Sequence, residues 1–159
     1  MRTSVDVHNY LLERDVPHEL VPVRGRLRSP GRMARIAAVL GLPAEQVGKV
    51  VVLEGRKQLV AVLVASNAEA DLRRVAVAAP SPTLTEPTAD RVSDLTDYLS
   101  EAVPPVGLPD GTRVIMDRTL ADQEVLYFAG GEPSTLLKIR AQDLIRTSEA
   151  KVARVARTG

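Results

Sequence analysis

The sequence contains no cysteine and no tryptophan, and it has two histidines, one phenylalanine and three tyrosines among its 159 residues. The absence of cysteine excludes disulfides, thiolate nucleophiles and cysteine-based metal sites. Because the histidines, His8 and His18, are too few for an ordinary zinc site, we expect neither a metal nor a cofactor. Charge of one sign is not in excess, since the net charge is +1. This balance gives no global electrostatic basis for avid nucleic-acid binding.

Long hydrophobic runs are also missing. No stretch approaches the roughly eighteen apolar residues of a membrane-spanning helix, and the first residues, Met1 to Asp6, lack an apolar signal core. We therefore expect a cytoplasmic protein with no membrane partner. With 159 residues, of which 45% are hydrophobic, the chain fits one domain over residues 1–159 with a core of ordinary size.

Apolar periodicity and turn residues predict the elements of this domain. Helices are expected over residues 3–14, from the Ser29-Pro30 cap to Gly41, over Ala68 to Ala76 and over 141–146. Strands are expected over residues 18–23, 47–54, 57–65, 112–117, 124–129 and 134–139, the second and third forming a hairpin. The segment 80–90 is expected to be a loop. Runs of strands with irregularly spaced helices indicate an α+β fold.

Lys49 stands out from these elements. It lies in an apolar run, 47–53, that is typical of a buried strand, and burying an ammonium is costly without a compensating partner. The chain has seventeen arginines and four lysines, so a residue needed for general positive charge would be expected to be arginine. Two interpretations are open at this point. Lys49 either extends from the strand to water, or it serves a site that uses a compact point charge.

Several separated motifs occur in a fixed order along the chain. They are Ala-Ala-Val-Leu-Gly at 37–41, the Lys49 strand, Thr-Asp-Tyr-Leu-Ser-Glu-Ala-Val-Pro-Pro-Val-Gly at 96–107, Val-Ile-Met-Asp at 114–117, Leu-Tyr-Phe-Ala-Gly-Gly at 126–131 and Gln-Asp-Leu at 142–144. In this order and spacing, from about residue 10 to 156, the chain resembles the YbaK/ProX-type aminoacyl-tRNA deacylases. These proteins are related to the editing domain inserted in bacterial prolyl-tRNA synthetases.

The resemblance implies a mixed, mostly antiparallel sheet or partial barrel surrounded by helices. It also implies hydrolysis, in trans and without a metal, of the ester that joins a wrong amino acid to tRNA, so the partner would be the aminoacylated acceptor end. Lys49 would be the catalytic residue that polarises the ester or holds the 3′ end. A neighbouring ribose hydroxyl of the substrate would help to activate water. Backbone N–H groups of a substrate loop would bind the ester carbonyl, and this loop comprises Glu101, Ala102, Val103, Pro104 and Pro105.

Further positions would complete the site that the resemblance implies. Asp117 and Gly130 would line the pocket, and Arg24, Arg26 and Arg28 would contact tRNA phosphates. Each has a structural alternative. Asp117 is also typical of a turn-initiating carboxylate, the diglycine at Gly130 of a hairpin turn, and the arginines of a solvated face.

The loop departs from the family pattern Thr-Gly-Tyr-x-x-Gly-x-x-x-Pro-x-Gly at two positions, where Asp97 and Glu101 replace glycines. Glycine permits positive φ and close approach of a ligand, whereas added carboxylates repel an RNA end. Glu101 could also pair with Lys49 and mask its charge. Two alternatives follow: a catalytically degenerate binding module with the same fold, or a deacylase whose specificity the acidic loop redirects toward a cationic amino acid.

Overall fold

The computed structural model describes residues 1–24, 31–81 and 83–158. Its helices are α1 (Ser4–Glu13), α2 (Arg32–Leu40), α3 (Leu72–Ala78), α4 (Ala89–Thr96), α5 (Arg118–Ala121) and α6 (Ala141–Ser148). Its strands are β1 (Glu19–Pro22), β2 (Gly48–Glu54), β3 (Leu59–Ala65), β4 (Ala68–Ala70), β5 (Arg113–Asp117), β6 (Val125–Ala129), β7 (Thr135–Arg140), β8 (Lys151–Ala153) and β9 (Ala156–Thr158). The predicted α+β class is confirmed.

The strands of the described ranges form three sheets. A mixed sheet has the order β2-β3-β5-β8, an antiparallel sheet has the order β1-β7-β6, and β4 pairs with β9. In the mixed sheet β2 and β3 form the predicted antiparallel hairpin, whereas β3–β5 and β5–β8 are parallel. A single parallel bridge between Val47 and Tyr127 joins the first two sheets. Antiparallel pairing predominates, as expected, and the sheets do not close into a barrel.

The core forms where β3 lies in the middle of the mixed sheet. Residues 60–65 of β3 are all buried, which accounts for the continuous apolar sequence of this strand. Phe128 of β6 packs against Gly48 so closely that a Cβ at Gly48 would lie 2.3 Å from the ring. Glycine is therefore required immediately before Lys49, because a side chain there would displace the aromatic ring from the core.

The helix ends follow the capping residues in the sequence. Thr3 caps α1 in a capping box with Asp6, and Gly41 ends α2 in the left-handed conformation with φ 67°. At the start of α2 the observed N-cap is Gly31. The predicted cap at Ser29-Pro30 lies outside the described residues.

Three helices of the structure differ from what the sequence predicted. The predicted helix over Ala68 to Ala76 begins instead as strand β4, and Asp71 then caps the shorter helix α3. Helix α4 begins at Ala89, inside the segment expected to be loop, and helix α5 was not predicted. The helices α3, α4 and α5 have seven, eight and four residues, which is too few for a clear apolar period.

Candidate active site

A cavity of about 160 Å³ lies beside Lys49. Lys49 and Val50 of β2 form one side, and the start of α2, with Arg32 and Met33, forms another. The remaining lining residues come from the end of β3, the loop before β5 and the end of β6, and they include Ser66, Ser100, Glu101, Val103 and Ala129. The fold thus brings Lys49 together with two residues of the predicted substrate loop.

Lys49 extends toward solvent and pairs with a carboxylate that the sequence analysis did not select. Its Nζ lies 3.4 Å from Oε1 of Glu69 on β4, and the lysine side chain is 27% exposed. The ammonium is therefore not isolated in the core, and its burial penalty is small. Among the ion pairs of the described residues, Glu69 and not Glu101 is the partner of Lys49, so the predicted salt bridge between Glu101 and Lys49 is wrong.

Arg32 is the functional candidate that the sequence analysis did not identify. It is 6% exposed, and its guanidinium donates from Nη2 to the Pro133 carbonyl and from Nη1 to the Glu101 carbonyl at 3.5 Å. Burial lowers the pKa of this guanidinium, and the Glu101 carboxylate acts in the opposite direction. The group stays charged, because arginine is not deprotonated in proteins. Its Nε has no hydrogen-bond partner among the described residues, so one donor of this buried group is left unsatisfied.

The substrate loop offers fewer free backbone donors than expected. Pro104 and Pro105 carry no N–H, and the N–H of Ala102 donates to the Leu99 carbonyl at 2.9 Å. Within the described residues, the N–H groups of Glu101 and Val103 are the loop donors without an acceptor, and both residues line the cavity. Part of this result was available from the sequence, since two consecutive prolines remove two donors from any loop.

Gly131 holds this loop in place. Its N–H donates to the Ala102 carbonyl at 3.1 Å, and its φ of 95° is open to glycine but strained for other residues. Gly130 closes the β6–β7 hairpin through the Thr135 carbonyl. Gly130 is not among the residues that line the Lys49 cavity, whereas the neighbouring Ala129 is. The diglycine is thus a hairpin turn that also fixes the substrate loop.

The two residues that replace family glycines have different surroundings. Asp97 has φ 62° and ends α4, so it retains the conformation that a glycine would adopt. Its carboxylate lies 3.8 Å from the N-terminal ammonium and 3.9 Å from Nε of Arg2, and Asp97 is not among the cavity residues. Glu101 is exposed, lines the cavity and lies outside the left-handed region. Of the two substitutions, Glu101 therefore alters the electrostatics of the cavity.

The other predicted site residues lie elsewhere. Asp117 is buried, and its carboxylate accepts hydrogen bonds from the N–H groups of Thr119, Val155 and Ala156 at 3.1, 2.9 and 3.0 Å. It lines a different cleft, and its contacts are those of a structural cap. Arg24 is exposed. Arg26 and Arg28 fall outside the described residues, so the structure gives no account of them.

No three His, Cys, Asp or Glu side chains of residues 1–24, 31–81 and 83–158 converge as metal ligands would. In the same ranges, no helix combines the length and the apolar character that crossing a membrane requires.

Comparison with known proteins identifies the family. The aminoacyl-tRNA editing domain matches residues 31–147, a range that includes Arg32, Lys49 and the substrate loop. No curated protein matches the chain. Among solved structures, the hypothetical protein APE2540 is 24% identical with a TM-score of 0.85, and the match covers 96% of this chain and 99% of that one.

A second solved structure, described as "a putative trans-editing enzyme for prolyl tRNA synthetase", is also 24% identical, with a TM-score of 0.84 and coverage of 97% and 96%. At this identity the two structural matches establish the fold. The family match spans most of the chain, and the resemblance drawn from the ordered motifs is confirmed. The chain belongs to the aminoacyl-tRNA editing domain family.

Proposed function

We propose that this protein hydrolyses, in trans, the ester bond of a mischarged tRNA in the Lys49 cavity. The observation that carries the proposal is that a lysine, a buried arginine and a residue of the substrate loop lie around one small space. Lys49, Arg32 and Val103 all line it. A site of this kind suits a reaction in which negative charge develops on a carbonyl oxygen. The proposed partner is the aminoacylated 3′ end of tRNA, and the proposed compartment is the cytoplasm.

The proposed reaction requires no metal and no cofactor. Water adds to the ester carbonyl, and the tetrahedral oxyanion is stabilised by Lys49 and by the Val103 N–H. The bond from the carbonyl carbon to the ribose oxygen then breaks, and that oxygen takes the proton that the attacking water has given up. The products are the free amino acid and a tRNA with an intact terminal hydroxyl. By family resemblance, a neighbouring ribose hydroxyl assists the attacking water.

The test is hydrolysis by the purified protein of a panel of tRNAs, each charged with one amino acid. Lys49→Ala should lower kcat/KM on the preferred substrate by roughly a hundredfold or more, the scale for loss of one oxyanion-stabilising group. Lys57→Ala is the matched control, because Lys57 is exposed in the turn at the other end of the same hairpin. The absence of lysine-dependent hydrolysis across the whole panel would rule out the proposal.

A second candidate is a binding module that keeps the fold but has lost catalysis. The observation in its favour is the Glu101 carboxylate, which lines the cavity where the family pattern has glycine. Restoring glycine with Asp97→Gly and Glu101→Gly separates the two functions. Activity gained by the double variant over an inert parent supports the binding module, whereas an active parent that the change weakens supports the deacylase.

The panel should include a tRNA that carries a cationic amino acid. Glu101 is exposed at the cavity and pairs with no lysine or arginine side chain among the ion pairs of the described chain. It could therefore receive a positive group. A preference for that substrate, abolished by Glu101→Gln, would make Glu101 a specificity residue.

A further inference from the structure

A second cleft lies apart from the Lys49 cavity and has no role in the reaction proposed above. Its volume is about 610 Å³, and four of its lining residues are arginines. Arg74 comes from α3, Arg118 opens α5, Arg154 lies between β8 and β9, and Arg157 lies in β9. We call this the arginine cleft. All four side chains are exposed.

The arginines meet there because Asp117 fastens two distant segments together. Its carboxylate binds the N–H of Thr119 at the start of α5 and the N–H groups of Val155 and Ala156 in the last segment of the chain. Arg118 on one segment and Arg154 on the other are consequently held at the same cleft. The backbone that carries Arg118 and Arg154 is thus held by a buried hydrogen-bonded carboxylate.

Three of the four cations have no carboxylate partner among the described residues. Arg74 lies 3.7 Å from Asp71, whereas no ion pair of the described chain includes Arg118, Arg154 or Arg157. The cleft also contains Glu45, Asp117 and Asp122, and the carboxylate of Asp117 is already engaged by backbone N–H groups. Guanidinium groups without a carboxylate partner are free to bind phosphate oxygens, to which arginine donates two parallel hydrogen bonds.

The arginine cleft adjoins the Lys49 cavity across strand β4. Ser66 lines the Lys49 cavity, and the next residue, Asn67, lines the arginine cleft. Glu69 pairs with Lys49 and is also the cross-strand partner of Arg157 in the β4–β9 pair. Directly opposed residues have Cβ atoms about 5 Å apart. An extended ligand that leaves the Lys49 cavity and crosses β4 therefore lies next to the arginines of the cleft.

We infer that the arginine cleft binds the sugar–phosphate backbone of the tRNA strand that leads to the ester in the Lys49 cavity. This inference rests on the proposed function for the identity of the RNA. The cavity and the cleft differ in size and in charge, and each suits a different part of the RNA. The cavity is small and surrounds the reacting group, whereas the cleft is about four times larger and presents cations that neutralise phosphates without reading sequence.

The experiment measures binding of deacylated tRNA by fluorescence anisotropy at several salt concentrations. The double variant Arg118→Gln with Arg157→Gln should raise Kd at least about fivefold and reduce the salt slope by roughly one to two, since each phosphate contact contributes about 0.7 to 0.9. Arg113→Gln is the control, because Arg113 is exposed at the far end of β5 from Arg118. Thermal unfolding checks that each variant is folded.

A second measurement separates this inference from the proposed function. With aminoacyl-tRNA the double variant should raise KM, whereas hydrolysis of an aminoacyl-adenosine that lacks phosphates should be unchanged. If the parent hydrolyses aminoacyl-tRNA and the double variant binds tRNA as tightly as the parent does, the inference about the arginine cleft is wrong and the proposed function is unaffected. If tRNA binding depends on these arginines but no aminoacyl-tRNA is hydrolysed, the proposed function is wrong and the inference about the arginine cleft is supported. A parent that binds no deacylated tRNA would overturn the cleft.

Discussion

The Lys49 ammonium lies 3.4 Å from the carboxylate of Glu69, a residue on the short strand β4 that follows the β2–β3 hairpin. Glu69 is 62% exposed, so this pair adds little to stability. Its consequence is electrostatic. A carboxylate beside the lysine offsets the positive charge that a polyanionic substrate would meet. Removal of that carboxylate should therefore change the activity more than it changes the stability of the fold.

We predict that Glu69→Gln raises kcat/KM for a hydrolysed aminoacyl-tRNA by up to about fivefold, because an exposed pair is worth about 1 kcal/mol or less. The midpoint of denaturant unfolding should be nearly unchanged. Glu86→Gln, at another exposed glutamate, provides the control. A loss of activity in Glu69→Gln alone would show that the carboxylate positions Lys49 instead of competing for it.

Arg32→Lys should reduce both stability and activity. Lysine keeps the charge but cannot reach the Pro133 and Glu101 carbonyls with the same planar group, and the loss of partners for buried polar atoms costs about 1–3 kcal/mol. The free energy of unfolding measures the first effect, and kcat/KM measures the second. Arg140→Lys, at an exposed position, should change neither. An unchanged unfolding midpoint in Arg32→Lys would contradict the role assigned to the guanidinium.

Gly131→Ala should be more destabilising than Gly111→Ala. Both glycines have positive φ, 95° and 85°, so each substitution introduces backbone strain of about 1–3 kcal/mol. At Gly131 the new Cβ would also lie 2.7 Å from the Thr3 carbonyl oxygen, whereas at Gly111 nothing lies within 4 Å. Overpacking adds roughly another 1–3 kcal/mol. Equal unfolding midpoints for the two variants would refute the close contact.

Acidification should weaken the attachment of α1 to the β6–β7 turn. The Ser4 hydroxyl and N–H donate to the Glu132 carboxylate at 2.7 and 3.1 Å, and these hydrogen bonds lower the pKa of Glu132 below its ordinary value. A lowered folded-state pKa adds stability above the unfolded pKa, near 4.3, and that stability is lost as pH falls through the folded value.

Glu132→Gln should accordingly be less stable than the parent at pH 7, by about 1 kcal/mol or less. The difference should shrink below about pH 4 as the parent carboxylate is protonated. Denaturant unfolding at pH 7, 4 and 3 would measure it. A constant difference over this range would mean that the charge of Glu132 contributes nothing through Ser4.

The sequence by itself determined the elements whose signals are local. Gly41 ended α2 as predicted, and the turn at residues 54–57 joined β2 and β3 in the predicted hairpin, with Lys49 near its start. The order of the motifs also identified the family. Even the scarcity of loop donors was implied by Pro104 and Pro105, because proline lacks an N–H wherever it lies.

The tertiary structure decided which distant residues meet. Strand β4 forms because Ala68–Ala70 pairs with β9 at the other end of the chain, and no local pattern in three residues records that pairing. The same pairing brings Glu69 to Lys49 and Arg157 to the arginine cleft. Arg32 likewise acquires its role from Pro133 and Glu101, which are far away in sequence. Contacts of this kind depend on sheet register and on packing against the core, and a one-residue change in register would separate them.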